Sequence, residues 1–140
     1  MNYIDPSGLD AIIALYPGAN PFGHVGIGIN TTDTVGFYPN EEFTPTDIIT
    51  GRPVSGNVMP DTGTPISIVR IPTTSAQDSA MQNFINQAIV DQANLKPRRY
   101  VASQNNCSDF VQDVLMSAGV QTPNTLFPGV LIKFLRGISK

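Results

Sequence analysis

The sequence predicts an α+β domain: an antiparallel sheet from the N-terminal half, packed against helices from the C-terminal half, one of them carrying the only cysteine. Short segments of apolar–polar alternation, the period of a strand, fall before residue 72. Segments with apolar residues three and four apart, the period of an amphipathic helix, come after it. Strands first and helices second is the order of an α+β fold, not of alternating β–α units. The length of 140 residues suits one domain with its own core, and 41% hydrophobic with 14% charged residues is a folding composition.

Residues 2–10 form a turn-rich boundary: Asp5-Pro6-Ser7-Gly8 has Pro to preset one dihedral and Gly to accept positive φ. Residues 11–16 are a short apolar strand stopped by Pro17-Gly18. In residues 24–29, Val25, Ile27 and Ile29 alternate with His24, Gly26 and Gly28, so His24 shares a face with two glycines that leave room for a substrate or a second backbone. Asn30-Thr31-Thr32-Asp33 is a hairpin turn, and residues 34–38 are the returning strand, stopped by Pro39-Asn40. Residues 41–63 are rich in Pro, Gly, Thr and Asp and are expected to be a long loop, with a short strand or a turn of helix near residues 47–49. Residues 65–71 form a further strand.

Thr74 or Ser75 caps a helix reaching about Asn94, with Ser75 and Asp78 spaced as a capping box and Met81, Phe84, Ile85, Ala88 and Ile89 as its apolar stripe. Residues 100–102 are a short extended piece. Cys107, Phe110, Val111, Val114, Leu115 and Ala118 then follow helical spacing, with Asn105 or Asn106 as N-cap and Gly119 as the stop. Pro128 opens a last helix with Val130, Leu131, Phe134 and Leu135 on its apolar side. No internal repeat or low-complexity tract interrupts this order.

Charge and cysteine content narrow the function. A net charge of −3 argues against a nucleic-acid partner, and Lys96-Pro97-Arg98-Arg99 is expected to be a solvated turn. One cysteine forms no internal disulfide. The start of the chain has neither the basic nor the apolar stretch of a signal peptide, and no segment approaches the roughly 20 apolar residues of a membrane span. If the domain leaves its cell, something else carries it.

Cys107 and His24 are single copies of the two residue types that thiol catalysis needs. A thiol is a strong nucleophile only as thiolate, and a helix N-terminus and a neighbouring imidazolium both stabilise that anion. Cys107 is placed in a first helical turn, whose unpaired amides also suit a developing oxyanion, with Asn106 and Ser108 as the helix-start residues around it. His24 is the one imidazole that can act as general base and then acid. Taken singly, Cys107 reads equally as a buried small hydrophobe and His24 as a structural residue; together they favour catalysis. No metal is expected, since one Cys and one His supply two of the three or four ligands zinc wants; Asp33 and Asp109 match no ligand spacing. No cofactor is expected either, since the glycines near Gly26 follow strand alternation and not a phosphate loop.

Two resemblances refine this reading. Tyr3-Ile4-Asp5-Pro6-Ser7-Gly8-Leu9 resembles the closing Asp-Pro-x-Gly-Leu motif of RHS-repeat proteins, whose β-shell encloses a variable C-terminal toxin and cuts itself after the Leu. The resemblance implies that residues 1–9 are a remnant of that shell and residues 10–140 a single toxin domain. Gly23-His24-Val25-Gly26-Ile27-Gly28-Ile29, followed by Asn106-Cys107-Ser108-Asp109-Phe110-Val111, resembles the circularly permuted branch of the NlpC-like papain-fold superfamily, which includes lecithin:retinol acyltransferase and phospholipid acyltransferases. Phe37-Tyr38-Pro39 is similar to toxin-linked versions. That resemblance implies a permuted papain-like fold in which Cys107 is the nucleophile and His24 the base. The lipid-acting relatives carry a second polar residue after the His strand to orient the imidazole. This chain has no second His; Thr34, Gly36 and Tyr38 face inward there, so Tyr38 is the third catalytic candidate, with Asn40 or a backbone carbonyl as the other options.

The implied function is an antibacterial effector: a Cys–His hydrolase or acyltransferase acting on phospholipid acyl esters at the envelope of a target cell. The alternatives are an NlpC-like peptidase or amidase cleaving peptidoglycan, and a non-enzymatic binding module. The implied partners are a cognate immunity protein, the RHS shell, and the phospholipid membrane or cell wall. The last helix carries Lys133, Arg136 and Lys140, which suits a membrane surface, although core packing is the more ordinary use of its apolar side.

Overall fold

A computed structural model describes residues 10–17, 23–40, 44–101 and 106–138. The Tyr3–Leu9 motif, Ala102 and Asn105 lie outside these residues. The fold is α+β. Strands β1 (Asp10–Tyr16), β2 (His24–Ile29) and β3 (Val35–Pro39) are followed by α1 (Pro45–Thr50), β4 (Val54–Pro60) and β5 (Ser67–Pro72), then α2 (Ser75–Ala93), β6 (Arg99–Tyr100), α3 (Cys107–Ser117) and α4 (Pro128–Ile138). The six strands form one sheet in the order β5-β1-β2-β3-β4-β6, and every pairing is antiparallel.

One face of the sheet is the core. Ala11 and Ile13 of β1, Val25 and Ile27 of β2, Phe37 of β3, Val58 of β4 and Val69 and Ile71 of β5 meet Met81 and Ile85 of α2, Phe110, Val111, Val114 and Leu115 of α3, and Leu131 and Leu135 of α4. Alternation puts His24, Gly26 and Gly28 on the other face, in register with Tyr16, Ala14 and Ile12 of β1. Asn30 closes the β2–β3 turn at φ 63°, a conformation Asn tolerates better than most residues.

Within the expected loop, the turn of helix near residues 47–49 is α1, as anticipated, but residues 54–60 are a strand, β4, that the sequence did not reveal. Thr44 caps α1 by accepting from the Asp47 amide at 3.1 Å, while Asp47 accepts from the Thr44 amide at 2.8 Å. In β4, Val54, Gly56 and Val58 alternate inward, but a glycine mid-strand and a closing proline mimic a loop. Gly56 is there because Phe37 lies across it: a Cβ at this position would sit 2.1 Å from the Phe37 ring. β4 earns its strand geometry by pairing with β3 on one side and β6 on the other.

Three smaller expectations are also corrected. The capping box of α2 is Thr74 with Gln77, not Ser75 with Asp78. Asp78 is buried and accepts from Thr73 Oγ1 and, at 3.1 Å, from Asn30 Nδ2, tying the helix start to the β2–β3 turn. Ile89 of α2 and Val130 and Phe134 of α4 are exposed, because each helix seats only the narrower part of its apolar surface on the sheet. In the basic turn Lys96 and Arg99 are exposed as expected, but Arg98 is not: its guanidinium lies 5.4 Å from the Phe37 ring and 5.6 Å from the Phe110 ring and pairs with Asp113.

Candidate active site

His24 opens β2, on the glycine face of the sheet. Gly26 pairs with Gly36, and the imidazole lies directly over Gly36, where a Cβ would stand 2.3 Å from His24 Nε2. The Tyr38 ring stacks on the imidazole with centroids 4.4 Å apart and planes at 20°.

The residue that engages His24 is Asp61. Its backbone N–H donates to the Thr34 carbonyl at 3.0 Å, continuing the β3–β4 register one residue beyond Val35 and Pro60, so that its side chain falls on the glycine face. His24 Nε2 lies 2.8 Å from Asp61 Oδ1. The Tyr38 hydroxyl donates to the same oxygen, and Thr34 Oγ1 donates to Asp61 Oδ2 at 2.7 Å. Thr34 has then given its only proton, so the Tyr16 hydroxyl, 2.8 Å away, donates to Thr34. The Asp61 side chain is 1% exposed and that of His24 12%.

Burial of this kind pushes a carboxyl up, but donation from His24, Tyr38 and Thr34 outweighs it and holds Asp61 below its ordinary value. For His24, burial opposes the charged form most strongly; the Asp61 hydrogen bond, the Cys107 side chain and the negative charges of both reverse that and raise it to about 9. Burial, then donation to Asp61, drives the Tyr38 phenol well above its usual range, so it remains a donor.

Cys107 is the first residue of α3, and its buried side chain belongs to the same cluster, acting on His24, Tyr38 and Tyr100. With Nε2 facing Asp61, Nδ1 is the ring nitrogen left to serve the thiol. Asn106 caps the helix: its Oδ1 accepts from the Ser108 and Asp109 amides at 2.9 and 3.3 Å, and Asp109 accepts from the Asn106 amide at 3.0 Å. The Ser108 amide is therefore spent on the cap and is not available to an oxyanion. The Cys107 amide is engaged too: it donates to the Tyr100 hydroxyl, whose own proton is left to face the site. Burial, then the Cys107 negative charge, raises that phenol, with the amide pulling it partly back.

A polar clasp fixes the start of α3. Asn106 Nδ2 donates to the Leu126 carbonyl at 3.0 Å and Ser108 Oγ to the Thr125 carbonyl at 2.9 Å. Gln112 donates to the Ser108 and Thr125 carbonyls and accepts from the Thr125 amide at 3.0 Å. Ser108 is thus a structural residue of the helix start, fully buried.

The structure brings Cys107, His24 and Tyr38 together and adds Asp61 and Tyr100, which sequence reasoning missed. Asn40 turns away and accepts from Asn57 Nδ2 at 2.7 Å. Asp61 lay inside the presumed loop, so nothing in its local pattern put it beside His24; an acidic residue just after an overlooked strand was its only trace. Among the described residues, no three His, Cys, Asp or Glu side chains are grouped to hold a metal ion. No family model, curated protein or solved structure matches the chain.

Proposed function

We propose that this chain is a thiol-dependent acyl hydrolase or acyltransferase whose substrate is a phospholipid acyl ester. The observation that carries the reading is His24 held between the buried Asp61 carboxylate at 2.8 Å and the Cys107 side chain at a helix N-terminus. The Cys107 thiolate attacks the ester carbonyl carbon. The negative oxygen of the tetrahedral intermediate takes a hydrogen bond from the Tyr100 hydroxyl, which the Cys107 amide holds in place. The intermediate collapses as the ester C–O bond breaks, and the His24 imidazolium protonates the departing alkoxide. Neutral His24 then takes a proton from water, or from an acceptor alcohol, as that oxygen attacks the thioester and the thiolate leaves. Asp61 keeps its charge throughout and holds the imidazole in place.

In this reading the domain is an antibacterial effector of the envelope, released from an RHS shell and blocked by an immunity protein over the His24–Cys107 cleft. Its permuted papain-like character rests on the order His24 before Cys107, on the strand and helix that carry them, and on the two motifs.

The test is incubation of the wild-type chain and Cys107→Ala with bacterial phospholipids and, separately, with peptidoglycan, followed by mass spectrometry. Lyso-lipid and free fatty acid from the wild type alone are expected. Cleaved muropeptides would move the same nucleophile to amide chemistry. Neither product, or full toxicity of Cys107→Ala in cells, would overturn the enzyme reading.

A further inference from the structure

Helix α4 carries two apolar stripes, and the fold uses one. Pro128, Leu131, Ile132 and Leu135 are buried. Val130, Phe134 and Ile138, four residues apart, form a second stripe that is 48%, 37% and 45% exposed, and Phe127, 47% exposed, stands at its N-terminal end. This segment is charged with one sign: residues 128–140 contain Lys133, Arg136 and Lys140 and no Asp or Glu, in a chain of net charge −3. At 3.6 residues per turn, Lys133 flanks the exposed stripe on the side away from the buried one. Arg136 reaches back to Ser67 Oγ and the Ile68 carbonyl on the edge strand β5, anchoring the helix to the sheet.

The stripe also begins beside the proposed nucleophile. Leu126, next to Phe127, accepts at 3.0 Å from the side chain of Asn106, the cap of the Cys107 helix. No described helix is long and apolar enough to cross a membrane. A short helix with an exposed apolar stripe flanked by a lysine has the chemistry of one that lies in the plane of an anionic lipid surface, the lysine extending to the phosphates.

We propose that α4 seats the domain on an anionic phospholipid bilayer, with Phe127, Val130, Phe134 and Ile138 at the headgroup–acyl boundary, so that acyl esters reach Cys107 from the membrane plane. This rests on the phospholipid reading of the site and names how that substrate is met.

The test uses the chain with Cys107→Ala, which leaves lipids intact, in flotation with vesicles of phosphatidylglycerol and phosphatidylethanolamine or of phosphatidylcholine alone. Binding to the anionic vesicles, weakened by salt, is expected. Val130→Ser with Phe134→Ser should weaken it about tenfold or more. Lys133→Glu, a surface change with no core packing to lose, should weaken binding to the anionic vesicles only. In the chain that keeps Cys107, the same variants should hydrolyse a short-chain, monomeric acyl ester at the wild-type rate. No vesicle binding, or binding indifferent to these changes, overturns the proposal. So does a dimer that the stripe variants dissociate, which would make the occupant a second copy. Hydrolysis of the soluble ester without vesicle binding would sink α4 docking alone. Vesicle binding with no ester hydrolysis would support docking while sinking the active-site reading.

Discussion

Asp61 meets His24 at 2.8 Å although 37 positions separate them in the chain. The carboxylate accepts from three side chains, His24, Tyr38 and Thr34, while its own backbone amide is tied into the β3–β4 register. It is therefore held for its partner, and Tyr38 acts through it.

Removing the charge and removing one donor to it should differ in size. Asp61→Asn should lower ester hydrolysis by ~10²–10⁴-fold with the fold intact, the range for losing an imidazole-orienting carboxylate. Tyr38→Phe leaves Asp61 with two donors and should cost about tenfold or less. Steady-state kinetics beside circular dichroism checks both. An unchanged rate in Tyr38→Phe would remove that residue from the machinery, and equal losses in the two variants would contradict this ranking.

The raised His24 value predicts two pH effects. Protonating the leaving group needs imidazolium, so kcat should fall on the alkaline side near pH 9. Asp61→Asn withdraws a group that holds the proton on, so its alkaline limb should move to lower pH. For stability, a folded value of about 9 against an ordinary 6.5 means a contribution fully present below 6.5 and lost as pH rises through 9. The urea midpoint of the wild type should decline over that window, and that of Asp61→Asn should decline less. A wild-type profile flat from pH 6 to 10 would show that His24 does not carry this proton.

Gly36 should tolerate no side chain. A Cβ there would stand 2.3 Å from His24 Nε2 and 2.5 Å from Asp61 Oδ1, and neither group has slack to move. Gly36→Ala should cost about 1–3 kcal/mol in stability through overpacking. It should lower the rate by ~10²-fold or more by displacing the imidazole. Denaturant melts and the ester assay together check it; a fully active Gly36→Ala would mean the imidazole need not sit where the structure puts it.

The clasp on α3 should matter to stability first. Gln112 is buried and bonded to Ser108 and Thr125. Gln112→Ala leaves the Thr125 amide without its partner and opens a small void, which should cost about 2–4 kcal/mol. Urea denaturation measures it, and a change below about 0.5 kcal/mol would show that the clasp is replaced by water.

Local pattern alone was enough for β1, β2, β3, β5, α2, α3 and α4: β1 as a short apolar run closed by Pro17-Gly18, the others by the period of their own element. It was also enough to single out His24 and Cys107, as lone residues of their type in a strand and at a helix start, and to narrow the cap to Asn105 or Asn106, of which the structure uses Asn106. Three things were decided by tertiary structure. β4 resembles a loop until β3 and β6 satisfy its backbone, because Gly56 and Pro60 depress its intrinsic preference for a strand. Asp61 and Tyr100 reach the site only through that strand: Asp61 extends its pairing with β3, and Tyr100 pairs with Val54. The apolar residues of α4 divide between core and surface by where the helix rests on the sheet, and periodicity cannot say which of two adjacent stripes is seated. Chemistry carried by one residue in its own element is legible along the chain. Chemistry that needs two elements to meet depends on a register, and registers are set by pairing partners far away in sequence.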